Sequence, residues 1–145
     1  MGAAGIALRF GMQLTVYVNA DSLNDVPTNS AGFIVNTDSR SMKMQDALLV
    51  TEKVFKYLAS QPVLLLYKKI DSVLRGYVID ELNKQMQQLG LQKAIIAPAN
   101  PSLGRTIEQG KYFISRQEIT ATGFVNDPEF PAKSSLVKEI LNDTA

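Results

Sequence analysis

Arginine residues recur in three polar loops of this chain, and each loop directly follows an apolar segment typical of a β-strand. The loops are residues 36–40 (NTDSR), 68–76 (KKIDSVLRG) and 98–106 (PANPSLGRT). A guanidinium group binds a carboxylate or a phosphate through two parallel hydrogen bonds. Aspartate and serine side chains in the same loops can hydrogen-bond the hydroxyl groups of a ligand. These residue types therefore predict a site for a small, hydroxylated anion.

The hydrophobic pattern predicts the elements that must bring these loops together. Short apolar runs indicate strands, and longer stretches with apolar residues at helical spacing indicate helices. The strands are expected at residues 14–18, 32–36, 63–67 and 93–97, and the helices at 3–10, 42–58 and 76–89. This alternation implies an α/β fold with a mainly parallel sheet and flanking helices, in Rossmann-like or flavodoxin-like layering. Ligands of such sheets bind beyond the carboxyl ends of the strands, so Arg40, Lys69, Arg75 and Arg105 are expected in one crevice.

The last third of the chain has a different composition, with more turn-forming residues. Residues 99–131 are expected to form a long functional loop and a β-hairpin built from residues 112–114 and 118–120. Ser134 or Ser135 then precedes an amphipathic stretch, which predicts a capped final helix reaching residue 141. Because the chain opens in a helix, where α/β sheets usually open in a strand, we expect residues 1–145 to be one incomplete domain.

The composition excludes several classes of protein and site. The chain has 15 Lys+Arg and 14 Asp+Glu, so its net charge of +1 gives no overall field that attracts nucleic acid or an acidic membrane. With 0 Cys and 0 His, it has no disulfide, no thiolate or imidazole metal ligand and no histidine base. No phosphate-loop or dinucleotide motif is present, so we expect neither a nucleotide nor a metal to bind this chain. No apolar run is long enough to cross a membrane, and the first residues do not have the pattern of a secretory signal, which favours a cytoplasmic protein.

Each candidate residue also fits an ordinary structural interpretation. Arg40 fits a solvated side chain ahead of a helix, and Asp71 fits a helix N-cap. The Gly-Arg pair at 104–105 fits a simple turn. Lys68 is expected to face solvent, and Tyr112 is expected in the core of the hairpin. The anion site therefore depends on all three loops meeting, because no single loop is diagnostic.

Four motifs of the chain, in their order and spacing, resemble those of the four-carbon acid sugar kinases. Residues 68–76 resemble the family's K-K-x-D-S-T-L-R-G motif, and residues 36–40 resemble its T-D-S-R segment. Residues 95–106 are similar to its A-P-A-x-P-x-x-G-R-T stretch, and residues 127–131 (DPEFP) to its D-P-x-F-P motif. The similarity covers essentially the whole chain. Members of this family phosphorylate D-threonate, D-erythronate and related acids with ATP.

The resemblance implies that this chain is the N-terminal substrate-binding domain of such a kinase, whose C-terminal domain binds ATP and Mg. Carried onto matching positions, it implies these substrate-binding residues: Asp38, Ser39, Arg40, Lys69, Asp71, Ser72, Arg75, Gly104 and Arg105. In this family context a carboxylate is expected to accept the proton from the attacking hydroxyl. Asp71 is the candidate catalytic residue in this chain, and the family's acidic D-D-x-T-G-A loop is an equal contender. The implied partners are the sugar acid and the C-terminal domain, and pairing of two copies stays open.

Two departures from the family pattern bear on function. Val73 stands where the family usually has a threonine, which removes a hydroxyl near the predicted site. The D-D-x-T-G-A loop and the ATP-binding domain are not in this sequence, so we expect the chain alone to have no kinase activity. Two other interpretations remain: a stand-alone module that binds or senses small anions without catalysis, and a non-functional gene fragment.

Overall fold

The computed structural model describes residues 2–23, 32–61 and 65–142. Its helices and strands are, in chain order, α1 (Gly2–Arg9), β1 (Leu14–Tyr17), β2 (Gly32–Val35), α2 (Met44–Ala59), α3 (Val78–Leu89), β3 (Arg105–Glu108), β4 (Lys111–Ile114), β5 (Gln117–Glu118) and α4 (Val137–Asn142). The first five of these elements lie where the sequence predicts them. Within the described ranges, no helix has both the length and the apolar character that crossing a bilayer requires.

The first half of the chain contains a two-stranded parallel sheet covered by α2. β1 and β2 pair in register along their whole length, as predicted for neighbouring strands of an α/β fold. Apolar residues of α2 recur at helical spacing, so Val54, Phe55 and Leu58 lie on one face of the helix. They form a buried cluster with Tyr17 at the end of β1 and Leu23 beyond it. This cluster fixes the carboxyl ends of both strands, from which the first polar loop emerges.

The described residues do not confirm the prediction of a mainly parallel sheet. Residues 65–67 and 93–97 are not hydrogen-bonded into any sheet, and residues 62–64 lie outside the described ranges. Three of their apolar side chains face outward, since Leu65 is 85% exposed, Tyr67 70% and Ile95 98%. A strand exists only with a neighbour that takes up its backbone N–H and C=O groups, and neither segment has one here. The α/β arrangement is therefore limited to one parallel pair and its helices.

Helix α3 begins two residues later than predicted and buries a different face. Val78, Glu81 and Gln85 are buried, whereas the predicted inward set (Ile79, Leu82, Met86 and Leu89) is only half-buried. The cause is an ion pair, because Lys68 Nζ lies 2.5 Å from Glu81 Oε2 and draws this carboxylate inward. The Lys68 side chain is only 15% exposed, so the prediction that it faces solvent is wrong.

The second half forms an antiparallel sheet in the order β3-β4-β5. The predicted hairpin is present, but β3 lies inside the segment predicted as a loop, and the expected run 118–120 is divided between β5 and a 3-10 turn. Between β3 and β4, Gln109 and Gly110 have φ angles of 50° and 78°, the left-handed geometry that suits a two-residue hairpin turn. In α4, which ends one residue beyond the predicted position, Ser134 Oγ accepts a hydrogen bond from the Leu136 N–H ahead of the first turn.

A second hydrophobic cluster attaches the central polar loop, residues 68–76, to this sheet. Tyr112 of β4 is fully buried, as predicted, and packs with Val73, Leu74 and Ile119. Val73 and Leu74 belong to the loop between residue 70 and α3, so burial of their side chains seats that loop on the sheet. The antiparallel sheet thereby becomes the support of the predicted anion site.

Candidate functional site

Asp71 organises the loop that carries the candidate site. Its Oδ2 accepts hydrogen bonds from the backbone N–H of Val73 at 3.1 Å and of Arg75 at 3.3 Å. These bonds close a tight turn, in which Leu74 has a φ of 65° and Gly76 a φ of 89°. Tyr77 is the N-cap position of α3, so the carboxylate of Asp71 holds the loop and is not the cap of that helix.

The guanidinium of Arg75 is occupied by carboxylates of the protein itself. Its Nε donates to Asp71 Oδ2 and its Nη2 to Asp71 Oδ1, both at 3.1 Å. Its Nη1 donates to Asp127 Oδ2 at 2.9 Å, and the group lies over the Phe124 ring, 5.3 Å from the centroid. Arg75 therefore bridges the central loop and the segment around Asp127.

Arg40 keeps most of its hydrogen-bonding capacity. Its Nη1 lies 3.6 Å from Asp71 Oδ1, an ion pair without a hydrogen bond, and its side chain is half exposed. Gly76 lies beside it, and a Cβ at that position would make an ordinary contact of 3.4 Å with Arg40 Cγ, so the φ of 89° is what favours glycine there. Arg40 is thus held beside the central loop while its N–H donors remain available to a ligand.

Arg105 reaches the next residue of the same loop from the antiparallel sheet. Its Nη1 donates to Ser72 Oγ, and the Tyr112 hydroxyl donates to the Ser72 carbonyl. Gly104, whose φ is 67°, immediately precedes Arg105 at the start of β3. Its α-carbon faces Ser115, and a Cβ added there would lie 3.0 Å from Ser115 Oγ. Arg40 and Arg105 therefore approach two consecutive residues of the chain.

The ion pairs keep this cluster charged at neutral pH. Burial raises the pKa of Asp71, but the hydrogen bond and the positive charge of Arg75 outweigh burial and hold this pKa below its usual value. The hydrogen bond to Asp71 is the main cause that raises the pKa of Arg75 above its usual value. The N–H groups of Phe130 and then Arg75 lower the pKa of Asp127. Arg75 is thus compensated by two carboxylates, and the half-exposed Arg40 adds one further positive charge to the cluster.

Four of the predicted site residues do not join this network. Asp38 is exposed with a φ of 48°, and Ser39 is buried, its hydroxyl 3.3 Å from Thr37 Oγ1. Lys69 is exposed and donates to the carbonyl of its neighbour Ile70. Gly104 contributes backbone geometry and no side chain. The structure thus brings together Arg40, Asp71, Ser72, Arg75 and Arg105.

Sequence reasoning missed three residues that support the site. Within residues 127–131, Asp127 binds Arg75, and Glu129 Oε2 accepts a hydrogen bond of 3.1 Å from Ser41 Oγ. The Phe130 ring packs edge-on against Tyr77, with centroids 5.4 Å apart. The D-P-x-F-P resemblance was the available signal, because it marked this segment without assigning it a role.

A cleft of about 790 Å³ opens beside Arg40 and Arg75. This volume lies within the roughly 300–1,000 Å³ typical of small-molecule sites. Its wall combines the two arginines with apolar and aromatic side chains, and Glu129, Lys133 and Glu139 also line it. Asp71, Ser72 and Arg105 are not among its lining residues. Among the residues the structure describes, no group of three or more Asp or Glu side chains could hold a metal ion. The volume of the cleft and its mixed polar and apolar wall suit a small organic molecule.

Comparison with known proteins agrees with the four sequence motifs. The family described as "Sugar-binding N-terminal domain" matches residues 2–145. A D-threonate kinase of Salmonella typhimurium is 36% identical over 109 residues, covering 74% of this chain and 26% of that protein. A D-threonate kinase of Bordetella bronchiseptica is 32% identical over 131 residues, covering 89% of this chain and 32% of that protein. The chain thus spans between a quarter and a third of the length of these two relatives.

A solved structure has the same fold. It is a domain of unknown function from Bordetella bronchiseptica, crystallised with bound citrate as a domain-swapped dimer. Its TM-score is 0.79 at 29% sequence identity, and the match covers 93% of this chain and 35% of that chain.

Proposed function

Because this chain belongs to the family of sugar-binding N-terminal domains, we propose that it is the substrate-recognition domain of a kinase for four-carbon sugar acids. The ligand class is a small carboxylic acid with several hydroxyl groups, such as D-threonate or D-erythronate. Two relatives that are 36% and 32% identical to this chain are D-threonate kinases, which supports this choice of substrate class. Citrate bound to the solved relative is likewise a small hydroxylated carboxylate.

One observation carries the proposal: Arg40 and Arg105 converge on the consecutive residues Asp71 and Ser72. Arg40 is half exposed beside a cleft, and only an ion pair of 3.6 Å engages it. A ligand carboxylate there would receive charge-assisted hydrogen bonds, which are about twice as strong as neutral ones. We assign carboxylate binding to Arg40 and Arg105, and contacts with ligand hydroxyls to Ser72.

Asp71 and Arg75 then have supporting roles. Both oxygens of Asp71 accept hydrogen bonds from Arg75, and the pKa of Asp71 is lowered, so its basicity is low. A proton acceptor benefits from a pKa near the working pH, which favours a positioning role for Asp71 over proton abstraction. In the complete enzyme, Asp71→Asn distinguishes the roles: loss of a positioning group raises KM, whereas loss of the base lowers kcat at unchanged KM.

Asp38, Ser39, Lys69 and Gly104 belong to the proposal as outer residues of the site. Asp38 and Lys69 are exposed within the loops of residues 36–40 and 68–76, where they can contact a ligand hydroxyl or a carboxylate. Ser39 supports the turn that leads into Arg40, and Gly104 provides the backbone geometry that leads into Arg105. We expect substitutions at these four positions to weaken acid binding less than substitution of Arg40.

The residues present do not fit a nucleotide–metal site. The sequence has no phosphate-binding loop, and no acidic cluster able to hold a metal occurs in residues 2–23, 32–61 and 65–142. We propose that ATP and Mg are bound by a C-terminal domain of the longer kinase and that this chain alone transfers no phosphate. We further propose a cytoplasmic location, as expected for a metabolic kinase.

We also propose that this domain is incomplete without one further strand. Apolar side chains beside the free edge of β1 are exposed, with Val16 at 50% and Val18 at 71%, and Leu65 and Ile95 are exposed as well. Among the described residues β1 pairs only with β2, so a strand added at its other edge would take up the free backbone groups there. Size-exclusion chromatography with light scattering tests this: a dimer of this chain would show that a second copy supplies the strand, whereas a monomer favours the longer protein.

The experiment that tests the function is a thermal melt with and without millimolar D-threonate or D-erythronate. Ligand that binds the folded state raises the transition midpoint. We expect a rise for the wild-type chain, a smaller rise for Arg40→Ala, and a wild-type rise for Arg9→Ala, whose exposed arginine lies at the end of α1. A cooperative melt that responds to neither acid would contradict the proposal, and ATP turnover by the chain alone would contradict its inactivity.

A further inference from the structure

Residues 127–130 contact the chain around two of the three arginine-bearing loops, those of Arg40 and Arg75. Glu129 accepts a hydrogen bond from Ser41, the neighbour of Arg40. Phe130 packs on Tyr77, whose hydroxyl donates to the Met42 carbonyl at 3.0 Å. These contacts tie the loop before α2 and the loop before α3 to one segment. The segment lies more than fifty residues later in the chain, as the separation of 52 between Arg75 and Asp127 shows.

Asp127 is the polar centre of this segment. Its Oδ1 accepts hydrogen bonds from the N–H groups of Glu129 at 3.1 Å and Phe130 at 2.8 Å, which fixes its own orientation. Its Oδ2 accepts the hydrogen bond of 2.9 Å from Arg75 Nη1, and its side chain is 14% exposed. The carboxylate therefore holds Arg75 from the side opposite to Asp71.

We propose that Asp127 is a positioning residue for acid binding, which acts on the ligand-facing Arg40 through Arg75 and Asp71. This inference rests on the proposed function, because it assigns a role within the same site. Arg75 contacts both carboxylates at once, so its guanidinium plane is determined at both ends. That plane sets the position of Asp71 Oδ1, which lies 3.6 Å from Arg40. A binding site whose supporting residues are themselves held by hydrogen bonds loses affinity when that support is removed.

Asp127→Asn is the variant that separates positioning from simple charge. The amide oxygen can still accept the two backbone bonds, but the amide NH2 now faces Arg75 Nη1, donor against donor. Removing a negative charge near an anion site would by itself strengthen binding of the acid. Loss of positioning changes the affinity in the opposite direction. It weakens binding of the acid by about tenfold, because a hydrogen bond to a charged group is disrupted. Asp21→Asn is the matched control, because Asp21 pairs with Lys53 at an exposed site.

The experiment measures the Kd of D-threonate and D-erythronate by calorimetry, at a temperature well below the transition midpoint of every variant. We expect an increase of about tenfold for Asp127→Asn and no change for Asp21→Asn. In the Arg40→Ala background, Asp127→Asn should add little, because its effect passes through Arg40. An unchanged or tighter Kd for Asp127→Asn, even with a lower melting temperature, would overturn the proposal and leave Asp127 with a structural role alone.

A second measurement needs no ligand and separates the two hypotheses. The side-chain N–H signals of Arg75, assigned by their loss in Arg75→Lys, should show separate Nη resonances in the wild-type chain, since a held guanidinium rotates slowly. Asp127→Asn should average these resonances, and signals that stay separate would overturn the positioning role. If the wild-type chain binds neither acid while Asp127→Asn averages the signals, the proposed substrate class fails and the control of Arg75 by Asp127 stands.

Discussion

Asp71 and Arg75 lie four residues apart and form two parallel hydrogen bonds of 3.1 Å each. An arginine with this geometry is the typical partner of a ligand carboxylate, but here the partner belongs to the same loop. The two arginines beside Asp71 therefore have different surroundings. Arg75 holds the loop, while Arg40 is half exposed with its Nη1 3.6 Å from Asp71 Oδ1, and we propose that its N–H donors bind the external anion.

Acid should destabilise the fold through Asp71. Its pKa is lowered in the folded chain, so the carboxylate contributes stability above its ordinary value of 3.8 and loses that contribution as the pH falls through the lower folded value. We expect the free energy of unfolding to fall from about pH 5 downward and to fall less steeply in Asp71→Asn. Urea denaturation at a series of pH values measures both curves, and equal slopes for the two proteins would contradict the assignment.

The ion pair between Lys68 and Glu81 should be costly to break from one side. Their side chains are 15% and 9% exposed, so Lys68→Met leaves a buried carboxylate without its partner. We expect a loss of about 3–5 kcal/mol in the free energy of unfolding. The double variant Lys68→Met/Glu81→Leu should recover most of this loss. Urea denaturation of the single and double variants checks the prediction, which a neutral Lys68→Met would contradict.

Gly104→Ala should be more harmful than Gly90→Ala. Both glycines have left-handed backbones, with φ angles of 67° and 64°, so each alanine costs about 1–2 kcal/mol. At Gly104 the new Cβ would also lie 3.0 Å from Ser115 Oγ, whereas at Gly90 it meets nothing within 4 Å. Chemical denaturation compares the two variants. Adding Ser115→Ala to Gly104→Ala should reduce the difference in unfolding free energy between the two glycine variants. Equal losses of unfolding free energy at both glycines would contradict the prediction, because they would show that the contact with Ser115 costs nothing.

Val73→Thr tests the departure from the family pattern. Val73 is 3% exposed and packs in the second hydrophobic cluster, so a threonine hydroxyl there would be buried. We expect a loss of about 1–3 kcal/mol in the free energy of unfolding, because a buried hydroxyl without a partner keeps its desolvation penalty. Acid binding should not improve. A gain in ligand-induced melting shift, measured as for the wild-type chain, would show that position 73 does reach the ligand.

Local sequence was sufficient for the elements that depend on nearby residues. Gly11, with a φ of 72°, follows directly after residue 10, where the first helix is predicted to end, and the apolar spacing of α2 places Phe55 and Leu58 in the core. The same reasoning failed at Ile95, which is 98% exposed, because the composition of a segment does not reveal whether a neighbouring strand is there to pair with it. It also failed for α3, since the burial of Glu81 depends on Lys68.

For the site, the sequence by itself determined which loops carry arginine, aspartate and serine, and that their chemistry suits a small anion. Only the tertiary structure decided which arginine stays available. The bond from Arg75 to Asp127 joins residues 52 positions apart, and the bond from Arg105 to Ser72 joins residues 33 positions apart. A guanidinium binds whichever carboxylate or hydroxyl the folded chain places beside it. The residue type therefore sets what a side chain can bind, and the packing of distant segments sets what it does bind.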